Sequence, residues 1–163
     1  MAAGITYEPI SSTTLGSAAT IVTFSSITGS YTDLVLVCNL TVGSARSLSL
    51  RFNSDSSTNY SNLQLYGNGT SALSALNANT SYLYLAGAYT TLSTANISLQ
   101  SYSNTTTYKT ILAQQGNTGT ETASNVALWR STSAITSIEI SAEGVTNNLS
   151  AGSVFTLYGI AAA

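Results

Sequence analysis

The stretch Ala151–Ile160, AGSVFTLYGI, decides the reading of the fold: Val154, Thr156 and Tyr158 alternate with Phe155, Leu157 and Ile160, the period of two that marks a β-strand. A strand this apolar left at an open sheet edge would pair with other molecules, so it is expected to lie beside or between earlier strands. Phe155, Leu157 and Ile160 are then its core residues.

Working outward, the rest of the chain repeats the same rhythm. Ile135–Ala142 is the cleanest alternation, with Thr136, Ile138, Ile140 and Ala142 set against Ile135, Ser137, Glu139 and Ser141. Ser47–Phe52 turns Leu48, Leu50 and Phe52 inward and Arg51 outward, and Tyr31–Leu40 is apolar enough for a central strand. Ala19–Phe24, Tyr82–Ala88, Ala95–Tyr102, Tyr108–Gln115 and Asn125–Ser131 read as further strands, with a short one around Leu63 and Leu65. Pro9 places an N-terminal strand at Ile5–Ile10 on a sheet edge. Ser71–Asn79 is the one segment where a helical turn is expected, and Asn53–Ser61 reads as a surface loop of Asx turns. Strands at this spacing, joined by loops of unequal length, predict an all-β, antiparallel two-sheet sandwich, jelly-roll-like, of about 8–10 strands. Residues 1–163 form one domain in this reading.

Composition narrows the chemistry. Charged residues make up 6% of the chain, against roughly 25% in an average globular protein. With 4 basic and 6 acidic residues the net charge is −2. Arg46, Arg51, Lys109 and Arg130 are too few for a phosphate-tracking patch, so no nucleic acid is expected as a partner. No apolar run approaches the roughly 18 residues of a spanning helix, and MAAGITYEPI carries no basic segment before an apolar one, so neither membrane nor export is expected. A charge-poor, Thr-rich surface suits a protein docked in an assembly.

Histidine is absent, which removes His-based nucleophile systems and the usual zinc and iron sites. Lys109, the single lysine, reads as an outward strand residue with its stem along the sheet. The acidic residues Glu8, Asp33, Asp55, Glu121, Glu139 and Glu143 are scattered, and no spacing argument brings two of them face to face as a glycosidase requires. Neither a catalytic residue, a cofactor nor a metal is expected, and the lone Cys38 reads as a small buried hydrophobe. The 10 tyrosines carry the strongest interaction signal, because an amphipathic ring suits a subunit interface or a sugar face. Tyr82 and Tyr84 share one strand face.

The segments RFNSDSSTNYS (Arg51–Ser61), YKTILAQQG (Tyr108–Gly116), LWRSTSAITSIEI (Leu128–Ile140) and AGSVFTLYGI, with TTLGSAA at Thr13–Ala19, resemble a family of short virion structural proteins of tailed bacteriophages, including phages of cyanobacteria and marine bacteria. The resemblance implies a virion component without fixing which part of the particle; the low charge and the lack of an expected catalytic group favour a non-enzymatic place on the capsid surface, with assembly in the host cytoplasm. The expected role is a decoration or cement protein, a homo-oligomer expected to be a trimer, that binds the major capsid protein. Tyr82, Tyr84, Arg51, Lys109 and Arg130 are the candidate interface residues, with Trp129 as a core anchor. The alternative is a tail-fibre or receptor-binding module touching host glycan through its tyrosines.

Overall fold

The computed structural model describes residues 6–117, 119, 121–143 and 148–161. Twelve strands are found among them: β1 (Tyr7–Thr14), β2 (Ile21–Phe24), β3 (Asp33–Leu40), β4 (Arg46–Phe52), β5 (Tyr60–Gly67), β6 (Ala72–Thr80), β7 (Leu83–Ala88), β8 (Ser93–Leu99), β9 (Lys109–Asn117), β10 (Thr122–Trp129), β11 (Ile138–Ala142) and β12 (Val154–Ile160). They form an eight-stranded sheet in the order β1-β12-β3-β8-β9-β10-β5-β6 and a four-stranded sheet in the order β2-β11-β4-β7. Every pairing is antiparallel.

The order contains a jelly roll. Setting aside β5–β6 and β9–β10 leaves β1-β12-β3-β8 facing β2-β11-β4-β7, the interleaving of early and late strands that two nested Greek keys produce. The two remaining hairpins both extend the larger sheet beyond β8, where β10 pairs with β5. The expected all-β sandwich is therefore found, its eight jelly-roll strands supplemented by four.

The closing strand lies where its apolar character requires, between β1 and β3, with Phe155 opposite Cys38 and Leu157 opposite Leu36. All four side chains are fully buried, and burial pushes the Cys38 thiol up from its ordinary value. Ile160 corrects the expectation: it shares parity with Tyr158 and stands on the outer face, while Gly159 takes the inward position. Leu48, Leu50, Phe52, Leu83, Ile138 and Ile140 line the facing sheet and complete the core. Pro9 does sit on an edge strand, beside a bulge between Pro9 and Ser11.

Two other expectations change. Ser71–Asn79 is not helical; Ala72–Thr80 is β6, since Asn68 Oδ1 accepts from the N–H groups of Thr70 (3.0 Å) and Ser71 (2.9 Å) and folds the chain back onto β5. A segment this short lacks the length to hold a helix alone. The strand expected from Ile135 begins only at Ile138. Asn53, in the left-handed region at φ 52°, accepts from the Thr136 and Ser137 N–H groups and donates to Ala134 O, holding residues 134–137 as a loop.

Candidate interaction surfaces

The outer face of the small sheet gathers three of the residues singled out from the sequence. Arg51 on β4 stands opposite Glu139 on β11, with Nη1 3.8 Å from the carboxylate. Its guanidinium lies 3.9 Å from the centre of the Tyr82 ring, a cation–π contact, and Tyr82 leans on Tyr84 with ring centres 6.1 Å apart. Ser54 Oγ donates to the other Glu139 oxygen at 2.7 Å. These groups satisfy one another, and the patch is a small, self-contained one.

Arg130 and Lys109 lie elsewhere. Arg130 follows β10 and donates to Thr58 O (2.7 Å), Asn79 Oδ1 (2.8 Å) and Ser61 Oγ, tying β5 to the end of β6. Lys109 is a correction. It faces inward beside Trp129 and is fully buried. Nζ donates to Thr107 O (2.9 Å) and Thr132 O (3.4 Å), and burial lowers its pKa. An ammonium group held this way offers nothing to a neighbouring subunit. Trp129 is the expected core anchor: it stacks on Tyr60, with planes 15° apart, beneath Phe52.

The surface that sequence reasoning missed is the outer face of the large sheet. In β5 the buried positions are Tyr60, Asn62 and Gln64, while Leu63 and Leu65 face out. In β10, Asn125 is buried and Val126 is exposed. β5, and β10 at Asn125 and Val126, are thus patterned inside out, with amides within and aliphatic side chains without, whereas β9 buries Ile111 and Ala113. Gln64 Nε2 donates to Tyr84 O at 2.7 Å, whereas the Asn62 and Asn125 amides have no hydrogen-bond partner among the described residues. Register aligns the outward residues: Leu112, Val126, Leu63 and Leu76 are successive cross-strand neighbours on β9, β10, β5 and β6. The same row runs back through Ser98 and Val35 to Tyr158.

Beside it lies a mixed, uncharged row, Val37, Asn96, Gln114, Ser124, Leu65 and Ser74, along the floor of an open groove of about 1010 Å³. Asp33 is the one charged residue at an outward strand position of this sheet, and its carboxylate accepts from the Ser101 N–H at 2.6 Å. The signal in the sequence was the pairing of Asn62 with Leu63 and Asn125 with Val126, whose phase alone cannot say which member faces in.

A smaller polar hollow of about 360 Å³ opens where the sheets meet, among Arg46, Gln64, Tyr66, Tyr89, Glu121 and Glu143. Arg46 and Glu143 form an ion pair at 2.6 Å, and Glu121 accepts from the Gly87 N–H at 3.0 Å. Burial, then the neighbouring Glu121 carboxylate, pushes the Tyr89 hydroxyl up to about 12. No cluster of three or more potential metal-ligating side chains occurs among the described residues, and no helix there is long and apolar enough to cross a membrane. No protein-family profile matches the chain, and no curated protein matches it.

Proposed function

We propose that this chain is a structural protein of a tailed-bacteriophage virion, a decoration protein that docks on the major capsid protein through the outer face of its large sheet. The observation that carries the reading is the inside-out patterning of β5 and of Asn125–Val126 on β10. It leaves Val126 55%, Leu63 46% and Leu65 60% exposed on a sheet face with one outward charge. Apolar residues aligned across neighbouring strands mark an interaction surface, whereas scattered ones do not. Binding only the assembled shell stabilises that shell by mass action, and the role asks for no catalytic group. The resemblance of the quoted segments to phage virion proteins supplies the identity of the partner.

The test uses phage heads stripped of this protein. Added wild-type protein is expected to rebind and restore resistance to heat-induced DNA release. Val126→Lys and Leu63→Lys should rebind at least about tenfold more weakly, because each places a charge on the apolar face. Stripped heads that keep full heat resistance would refute the cementing role. A receptor-binding module is the second reading, favoured by the polar hollow around Tyr66, Tyr89 and Glu121. Glycan-array binding together with immunogold label at the tail tip would select it.

A further inference from the structure

We infer that the free edge of β6 pairs with β6 of a second copy of this chain about a two-fold axis, joining the two large sheets into one. Exposed strand edges are normally protected against pairing by proline, bulges, charge or shortness. The other three sheet edges carry such devices. β1 has Pro9 and its adjacent bulge, β2 is four residues long, and β7 has an irregular register opposite Ser47 and Leu48, with its Gly87 N–H taken by Glu121. β6 has none along Ala72–Ala78; its one register shift lies at the far end, opposite Tyr60 and Ser61. Its sequence, ALSALNANT, contains neither charge nor proline, none of its residues is buried, and β5 is its one substantial neighbour.

A second copy is the occupant these features fit. A two-fold interface must be complementary to itself, so a charged edge would meet its own charge, and β6 has none. With Leu76 on the axis, Ser74 opposes Ala78 and Leu76 opposes Leu76 of the partner subunit. The outer row then runs unbroken through Leu112, Val126, Leu63 and Leu76 into its symmetric counterpart. Leu76 is the most exposed member of that row at 70%, and this register packs its inner flank against Leu76 of the partner subunit. The pairing uses the edge of the sheet and leaves its face free, so it stands whatever that face binds. It gives a dimer in place of the trimer that the resemblance implied.

Sedimentation equilibrium of the purified full chain is expected to show a dimer. Leu76→Lys should weaken dimerisation by at least about 100-fold, since two ammonium groups would face each other across the axis, with an unchanged circular dichroism spectrum. Directly opposed antiparallel residues have Cα atoms about 4.5–5.5 Å apart, within disulfide reach. On oxidation, Leu76→Cys should therefore cross-link to itself, and Val126→Cys, exposed on the same face but two strands from the axis, should not. A monomer at every concentration, a trimer, or cross-linking through Val126→Cys in place of Leu76→Cys would each overturn the inference. Because these readouts use the isolated chain, they are independent of where the protein sits in a particle.

Discussion

Trp129 and Asp55 meet at one end of the sandwich, where indole Nε1 donates to Asp55 Oδ2 at 2.8 Å. Burial alone would raise the Asp55 carboxyl. The hydrogen bonds from Trp129, Asn59 (3.0 Å) and the Ser57 N–H (2.9 Å) outweigh it and bring the pKa down to about 2. A carboxyl whose pKa is depressed by folding contributes stability above its unfolded value, and loses that contribution as pH falls through the folded one. The window here is roughly pH 4 to pH 2. Asp55→Asn should therefore cost about 1 kcal/mol at pH 7, less than the full shift implies because the carboxylate is partly screened by solvent. Urea unfolding should show the difference from wild type shrinking across that window. The Asx turn at Asp55 was legible in the sequence; its bond to a tryptophan 74 residues away was not, because nothing local encodes that contact.

Among the elements, legibility followed how one-sided each strand's burial is. β4, β11 and β12 bury one apolar face, and their alternation identified the inward residues except at the end of β12, where Ile160 faces out and Gly159 in. β5 and β10 defeat the same rule because their amides point in, and β6 defeats it because neither face is buried. Lys109 was misplaced since a single inward cation beside Trp129 has no signature in the strand's period. Gly159 is a position where strand and packing can be tested together. It lies inside β12, paired with Leu34 and Glu8, and a Cβ there would fall within the Tyr31 ring. The aromatic ring covers the gap that a strand glycine leaves. Gly159→Ala should cost about 1–3 kcal/mol by overpacking, whereas Thr156→Ala on the outward face should stay within about 0.5 kcal/mol. In a double-mutant cycle with Tyr31→Ala, most of the Gly159→Ala penalty should vanish; equal penalties in both backgrounds would show that the ring does not enforce the glycine.

At the scale of the whole molecule, β1 pairs with β12 and closes the jelly roll across nearly the full length of the chain. The all-β class was legible from local patterning, but strand order was not, because it depends on contacts between distant segments. Charge is distributed in a way that composition did not reveal. Arg46 with Glu143 and Arg51 with Glu139 belong to the small sheet and its margin, while the outward strand positions of the large sheet carry Asp33 alone. An association through that sheet must then be apolar and backbone-driven. Screening by added salt weakens contacts between exposed charges, but it leaves apolar burial and interstrand hydrogen bonds largely intact, and excluded salts such as sulfate strengthen burial. Raising NaCl from about 0.05 to 0.5 M should accordingly change the dimer dissociation constant by less than about threefold, and ammonium sulfate should tighten it. A tenfold or greater weakening in NaCl, measured by sedimentation, would place the contact on the charged small-sheet side instead.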